Sequence, residues 1–465
     1  MSYVPNTDAD REKMLAAIGV SRFEDLLDAV PQEVRLKEPL KIPPPASELE
    51  LFADLRKLSR QNIPVSVANS FLGGGFYDHF TPAAADYIIR RPEFLTSYTP
   101  YQPEVSQGTL QVIYEFQSLI CALTKMEAAN ASLYDGASAT AEAALMAVHV
   151  TERKEILVTE GLNPNYLNVL KTYGIGGAYQ VRLLPLGLSG QLEPETLKKN
   201  VSARTAALIL QTPNFFGCLE ETKELEPIVH SVGAKLIAVF DPISLGMVAP
   251  PGEYNADIAV AEGQSLGVPI SYGGPAVGLF AAKKELVRRM PGRIAARTTD
   301  VNGKIGYVLT LQTREQHIRR EKATSNICTN QGLMATLSTV FMSLVGKEGL
   351  LQMARLSYAK AHYAAALLGA KGFKRMYATP FFKEFTLELP LPASKVVSRL
   401  GKSNIVPGID LGRYDRKRKN QLLIAVTEKK LREDIEVLAE GMSFFRPAAG
   451  SGVKPERRLE TAGLV

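Results

Sequence analysis

Residues 255–282, NADIAVAEGQSLGVPISYGGPAVGLFAA, contain the pattern that decides the fold. The apolar run at 258–261 is typical of a buried strand, and it breaks off at Glu262 into a loop rich in glycine and proline. A second glycine cluster at 273–274 precedes another apolar run, which we predict to be a strand over 276–281. In α/β proteins, small ligands usually meet backbone N–H groups where a strand ends in such a loop. We therefore expect a ligand site directly after this first strand.

The preceding strand indicates which ligand the loop would suit. The run LIAVFDP at 236–242 predicts a strand that ends in one carboxylate, Asp241. A carboxylate on one strand end and a loop on the next is the usual layout for pyridoxal phosphate, where an Asp keeps the pyridine nitrogen protonated and a loop lysine forms the Schiff base. Gln264 stands where that lysine is expected, and no lysine occurs between Lys235 and Lys283. The layout of a cofactor site is present, and its covalent anchor is missing.

The wider pattern predicts an α/β fold with a mostly parallel sheet covered by helices on both faces. Continuous apolar strands alternate with helical stretches through the middle of the chain. The predicted strands lie at 155–160, 180–186, 206–213, 236–242 and 257–262. The expected parts of the chain are an N-terminal helical extension at 1–60, a large α/β domain at 61–330, a smaller C-terminal α+β domain at 331–445 and a disordered tail at 446–465.

Composition excludes several classes of protein. The chain has 465 residues, 46% of them apolar, without an uninterrupted apolar run near the roughly 18–20 residues of a membrane span. The three cysteines and five histidines are scattered, so we expect no metal site, and the odd cysteine count without a secretory signal indicates a cytoplasmic protein. The net charge of +6 is too modest to argue for nucleic acid. Basic runs at 283–297 and 314–322 are either solvated helix faces or a surface for an acidic partner or a phosphate.

Small residues mark the start of a predicted helix near residue 136. Gly136 and Ser138 would let backbone N–H groups approach an anion closely, as a cofactor phosphate requires. The same stretch also fits an ordinary helix N-cap formed by Asp135. Both interpretations remain open on the sequence.

Two polar stretches are poor candidates for core packing. In YTPYQPEVSQ at 98–107, tyrosines, glutamines and a carboxylate lie between prolines, which suits a rigid loop that holds geometry at a site. In HIRREKATSNICTNQ at 317–331, His317 and Arg319 precede a polar turn, a pattern that an ordinary surface helix also explains. We take both stretches as candidate functional segments.

Six stretches carry a resemblance to a known family. They are FLGGGFYDHF at 71–80, TSYTPYQPEVSQGTLQ at 96–111, ANASLYDGASATAEA at 129–143, QTPNFFG at 211–217, the run at 257–275 and HIRREKATSNICTNQ at 317–331. Together they resemble the P-protein of the glycine cleavage system, a pyridoxal phosphate-dependent glycine decarboxylase. The match is to its N-terminal half, which in many bacteria is a separate chain, subunit 1 or α.

The resemblance implies fold type I of the pyridoxal phosphate-dependent transferases, the aspartate aminotransferase class. It also implies that subunit 2 holds the cofactor through its own lysine, with Gln264 at the aligned position here, and that this chain keeps a vestigial pocket at Gly136, Ser138, Asp241 and Gln264. The implied activity is that of glycine dehydrogenase (aminomethyl-transferring), an oxidoreductase of glycine catabolism. Glycine loses its carboxylate as carbon dioxide, and the aminomethyl group passes to the lipoyl disulfide of the H-protein, which is reduced.

The same resemblance implies partners for this chain. They are subunit 2 in an α2β2 heterotetramer, the lipoylated H-protein and the substrate glycine. In fold type I dimers the active site lies at the interface, so subunit 1 would contribute residues across it. The candidates are Tyr98, Tyr101, Gln102, Glu104, His317 and Arg319.

Two other functions fit parts of the sequence. A free-standing pyridoxal enzyme, such as an aminotransferase or aldolase, would need an imine-forming lysine, and the amide of Gln264 cannot form an imine. A catalytically inactive scaffolding or regulatory relative differs from the subunit hypothesis only in whether the 98–104 loop contributes to a partner's site.

Overall fold

The computed structural model describes residues 5–446. The chain separates into two compact units, which divide between Asn62 and Ile63. The further division of the second unit near residue 330 stays a prediction. The predicted tail lies, except for Arg446, outside the described residues.

The N-terminal unit contains two α-helices, α1 (Asp8–Ile18) and α2 (Glu48–Ser59), with short 3₁₀ helices at Phe23–Leu27 and Gln32–Val34. Each α-helix begins with a side-chain cap. The hydroxyl of Thr7 accepts a hydrogen bond from the backbone N–H of Asp10, and the hydroxyl of Ser47 accepts one from Glu50. Such caps satisfy N–H groups that have no partner inside the helix.

The helices of the second unit are α3 (Ala83–Ile89), α4 (Pro92–Leu95), α5 (Gln107–Thr124), α6 (Gly136–Thr151), α7 (Pro164–Gly174), α8 (Pro194–Asn200), α9 (Thr222–Ser231), α10 (Gln316–Arg319), α11 (Gly332–Ala370), α12 (Ala393–Gly401) and α13 (Arg432–Ser443). Short 3₁₀ helices lie at Ile243–Gly246, Pro251–Tyr254, Lys284–Arg289, Gln312–Arg314, Arg320–Lys322, Leu411–Arg413 and Arg416–Arg418. The long helix α11 is interrupted at Gly346, whose backbone is not helical.

The strands are β1 (Asn69–Ser70), β2 (Ala128–Ala129), β3 (Glu155–Thr159), β4 (Gln180–Leu184), β5 (Thr205–Thr212), β6 (Lys235–Phe240), β7 (Ile258–Glu262), β8 (Gly278–Ala282), β9 (Ile294–Thr299), β10 (Ile305–Thr310), β11 (Lys374–Arg375), β12 (Glu384–Glu388), β13 (Ile405–Val406), β14 (Ile409–Asp410) and β15 (Gln421–Ala425). Seven of them form the central sheet in the order β2-β8-β7-β6-β5-β3-β4. Strands β3 to β7 are parallel, and β8 and β2 are antiparallel to their neighbours.

The central sheet confirms the predicted α/β class. Strands β5, β6 and β7 are buried along most of their length because helices cover both faces, and this explains why their sequences are continuously apolar rather than alternating. Apolar side chains of α6 and α7 form the core on one face, and those of α5 and α11 form the core on the other. The predicted strand at 276–281 begins two residues later, at Gly278, and runs antiparallel to β7.

A second, smaller sheet lies in the C-terminal part. Its order is β11-β12-β15-β14, and its strands are antiparallel. Two minor pairs complete the strand pairing, the β9–β10 hairpin and the parallel pair of β1 with β13. Lys383, directly before β12, contacts Asp241, directly after β6, so this sheet lies beside the carboxyl end of a central strand.

Candidate functional site

The carboxyl ends of β6 and β7 meet at one cavity, as expected for neighbouring parallel strands. Asp241 follows β6, and Glu262 is the last residue of β7. Both line a cavity of about 30 Å³ together with Gln211, near the end of β5, and Asn163, in the loop after β3. The structure therefore gathers the predicted strand ends, including Asp241, at one place.

Lys383 lies in the wall of this cavity and was not among the residues predicted from the sequence. Its ammonium nitrogen is 2.7 Å from Oδ2 of Asp241, and the residue is only 1% exposed. The same nitrogen donates to Nε2 of His79 at 2.8 Å and lies 3.5 Å from the centre of the Tyr77 ring. The signal for it in the sequence is the pair of charged residues Lys383 and Glu384, which directly follows Phe381 and Phe382.

Gln264 holds two loops together through its amide group. Its Oε1 accepts a hydrogen bond from the backbone N–H of Tyr77 at 2.8 Å, and its Nε2 donates to the carbonyls of Tyr77 and Val268. The side chain is buried. A lysine has no acceptor, so it could not reproduce this pattern. Gln264 is therefore a structural bridge in this chain.

The start of α6 has its own side-chain partners. A carboxylate oxygen of Asp135 accepts from the backbone N–H of Ser138 at 2.7 Å, which is the N-cap interpretation. The N–H of Gly136 donates to Oε2 of Glu262 at 3.0 Å. A Cβ at Gly136 would lie 2.1 Å from the hydroxyl of Tyr166, so this position requires glycine. Two of the N–H groups considered for a phosphate thus bind carboxylates of the chain itself.

Burial dominates the electrostatics of the cavity. It raises the pKa of Glu262 to about 7, although the backbone N–H groups of Gly136, Val277 and Gln264 act in the opposite direction. It also raises the pKa of Glu384 to about 7, against hydrogen bonds from the backbone of Gly74 and the hydroxyl of Tyr77. The cavity wall therefore combines one ion pair with two carboxyl groups that hold protons more tightly than usual.

The residues present do not fit pyridoxal phosphate. Asp241, which would face the pyridine nitrogen, is paired with Lys383, and the N–H of Gly136 is bound to Glu262. A cavity of about 30 Å³ has room for roughly one or two water molecules. Gln264 has an amide side chain, which cannot form an imine with the cofactor.

The other predicted residues lie elsewhere, and two of them belong to a second cluster. The rings of Tyr101 and His317 are 5.5 Å apart. The hydroxyl of Tyr101 accepts a hydrogen bond from Arg293 at 3.0 Å, and Oε2 of Glu315 lies 3.8 Å from Arg293 and 3.6 Å from His317. Arg293 and Glu315 are buried and were missed, because each lies in a basic run whose charges were read together.

The remaining candidates of this group are exposed. Tyr98 is 90% exposed, and Gln102, Glu104 and Arg319 are exposed as well. Tyr98, Gln102 and Glu104 lie in the loop that contains Tyr101, and Arg319 lies on α10 with His317, so the structure brings these candidates to one surface. The cavity beside Asp241 has a different set of lining residues.

Buried arginines account for part of the two basic runs. Arg314 donates to the backbone carbonyls of Leu311 and Gly292, and also to that of Met290. Arg293 donates to the carbonyl of Cys328 as well as to Tyr101. These two side chains join loops inside the protein. The two interpretations of the basic runs, a solvated helix face or a surface for an acidic partner or a phosphate, therefore apply only to their exposed residues.

Among residues 5–446, no helix combines the length and the apolar character that crossing a membrane requires. No group of three or more His, Cys, Asp or Glu side chains in that range has the arrangement of a metal site.

Comparison with known proteins places the chain in a family. The family described as the glycine cleavage system P-protein matches residues 1–442. The protein named "Probable glycine dehydrogenase (decarboxylating) subunit 1" of Chloroherpeton thalassium is 50% identical over 443 residues, which are 95% of this chain and 99% of that protein.

Solved structures agree with this assignment. A crystal structure of glycine decarboxylase (P-protein) of the glycine cleavage system, in inhibitor-bound form, has a TM-score of 0.86 and 41% identity and covers 95% of this chain and 99% of its own. A sphingosine-1-phosphate lyase of Burkholderia pseudomallei has a TM-score of 0.63 at 14% identity, with coverage of 88% and 92%, and shows the fold alone. The predicted fold type I architecture is thereby confirmed. The chain belongs to the family of glycine cleavage system P-proteins.

Proposed function

We propose that this chain is subunit 1 of a glycine dehydrogenase (decarboxylating) and acts with a second subunit that holds pyridoxal phosphate through its own lysine. Together they release the carboxylate of glycine as carbon dioxide and transfer the aminomethyl group to the lipoyl arm of an H-protein, whose disulfide is reduced. The name of the relative at 50% identity supports the subunit assignment. We further propose an α2β2 assembly in the cytoplasm, where its three free cysteines would stay reduced.

The observation that carries this proposal is the cofactor position of the chain itself. Gln264 is committed to backbone hydrogen bonds, and Asp241 is paired with Lys383. A chain with this site needs the cofactor lysine of a partner in order to act on glycine. The loop with Tyr98 and Tyr101 and the short helix with His317 present polar side chains at the surface, where another chain can reach them.

The test measures exchange of labelled bicarbonate into the carboxyl group of glycine in the presence of lipoylated H-protein. We expect no exchange with this chain alone, none with subunit 2 alone, and activity when the two are purified as a complex. We also expect about one cofactor per pair of subunits. Exchange by this chain alone would contradict the proposal and favour a free-standing enzyme.

A variant in the complex separates an active-site contribution from scaffolding. Replacing both Tyr98 and Tyr101 by Phe removes two hydroxyls that we assign to the shared site. We expect the exchange rate to fall by at least tenfold, while the complex still assembles. Tyr414→Phe is the matched control, because Tyr414 and Tyr101 are both 45% exposed. Unchanged turnover of the double variant would favour a scaffolding subunit.

A further inference from the structure

The cation beside Asp241 is held from several sides. Lys383 approaches Asp241 at 2.7 Å, donates to Nε2 of His79 at 2.8 Å and faces the ring of Tyr77. Because Nε2 of His79 accepts this hydrogen bond, Nδ1–H is left to donate to Glu428, whose oxygen is 2.6 Å away. A buried charge persists only when it is paired and hydrogen-bonded, and this one meets both conditions.

A carboxyl group occupies the other end of the cofactor position. Glu262 accepts hydrogen bonds from the N–H of Gly136 at the start of α6, from Gln264 and from Val277. Helix N-termini attract anions because their first N–H groups have no partner within the helix and the helix dipole is positive there. Here the carboxyl oxygens of Glu262, at the end of β7, accept the hydrogen bonds that a phosphate would accept.

We propose that this chain fills its own cofactor position with internal substitutes, Lys383 for the protonated pyridine ring and Glu262 for the phosphate. A protonated ring next to Asp241 and a phosphate at the start of α6 are the two charged groups that the layout calls for. The ammonium group of Lys383 takes the first position, and carboxyl oxygens of Glu262 accept the hydrogen bonds at the second. The site is therefore complete without cofactor, and its Lys383–Asp241 pair joins the C-terminal sheet to the central sheet. This inference concerns the chain alone and stands whether or not the partner subunit assembles.

Covalent labelling of the full-length chain tests the proposal directly. The chain is incubated with pyridoxal phosphate and reduced with borohydride, so that any lysine imine becomes a stable secondary amine, and the modified peptides are mapped by mass spectrometry. We expect Lys383 to stay unmodified in the folded chain and to react after unfolding in guanidinium, whereas the exposed Lys347 reacts in both states. Stoichiometric labelling of Lys383 in the folded chain would overturn the proposal, because Lys383 would then be an imine-forming lysine open to cofactor.

A rescue experiment tests whether the positive charge of Lys383 stabilises the folded chain. Lys383→Ala removes the ammonium group and leaves space beside Asp241. We expect the midpoint of thermal unfolding to fall by several degrees and to recover in part with propylammonium chloride, but not with sodium chloride at the same ionic strength. Lys395→Ala, at an exposed site on α12, should show neither effect. A folded Lys383→Ala variant with unchanged stability would overturn the proposal. Should this variant fail to fold, the labelling result on the parent chain tests the proposal by itself.

Discussion

Lys383 Nζ and Asp241 Oδ2 are 2.7 Å apart, although the strands next to them belong to different sheets. Asp241 directly follows the central strand β6, and Lys383 directly precedes β12 of the smaller sheet. Lys383 is 1% exposed and the side chain of Asp241 is 11% exposed, so this largely buried ion pair ties the two sheets together.

The first prediction concerns the coupling between these two charges. Lys383→Met leaves Asp241 buried without its cation, and Asp241→Asn leaves the lysine without its anion. We expect each single change to lower the free energy of unfolding by about 3–5 kcal/mol, because an unpaired buried charge is strongly unfavourable. The double variant should lose clearly less than the sum of the two single losses. Urea unfolding of the parent chain, the two single variants and the double variant measures the coupling free energy. Additive losses would show that the two charges do not stabilise the fold as a pair.

The second prediction concerns the close approach at the start of α6. In Gly136→Ala, the new Cβ would lie 2.6 Å from the backbone nitrogen of Glu262 and 2.1 Å from the hydroxyl of Tyr166. We expect a loss of about 1–3 kcal/mol in the free energy of unfolding, because backbone must move. Gly369→Ala is the control, since nothing lies within 4 Å of its Cβ and the residue is helical. It should gain up to about 1 kcal/mol. Equal changes in the free energy of unfolding of the two variants would contradict the proposed steric conflict at Gly136.

The third prediction concerns the second cluster. Arg293→Met removes the hydrogen bond to the hydroxyl of Tyr101 and leaves Glu315 buried without its nearby cation. We expect the unfolding free energy to fall by roughly 3 kcal/mol. In the assembled complex we also expect glycine–bicarbonate exchange to fall, because Tyr101 loses the group that orients it. Arg297→Met, at an exposed position on β9, is the control. Full exchange activity with Arg293→Met would remove the link between this cluster and the reaction.

The fourth prediction concerns pH. Burial raises the pKa of Glu384 from 4.5 to about 7, so between these values the folded chain keeps a proton that the unfolded chain has released. The stability from this group is complete below pH 4.5 and is lost as the pH rises to 7, with a slope of up to about 1.4 kcal/mol per pH unit. Glu384→Gln should make stability fall less steeply over this range.

Urea unfolding at several pH values between 4.5 and 7 measures that slope. Glu388→Gln, an exposed change on the same strand, should keep the slope of the parent chain. A parent chain that becomes more stable as the pH rises through this window, with no change in Glu384→Gln, would be at odds with a buried, protonated Glu384.

Local sequence patterns were sufficient for the architecture. The apolar runs that became β3, β5, β6 and β7 predicted a parallel sheet, because strands buried on both faces cannot alternate with polar residues. The direction of β8 was not predicted, because a short apolar run fits a parallel or an antiparallel neighbour equally well. Asp135 was one of two open interpretations at the start of α6, and the hydrogen bond to Ser138 identifies it as the cap.

The sequence by itself determined the fold class, the position of Asp241 at a strand end and the presence of Gln264 where a lysine was expected, because each depends on local periodicity and residue type. Only the tertiary structure decided which side chains contact the predicted site residues. Lys383 reaches Asp241 through the packing of a sheet from the C-terminal part, and Arg293 reaches Tyr101 across the fold. Pairings between distant residues leave no periodic pattern in a single chain, so the internal substitutes for the cofactor became visible only once the chain was folded.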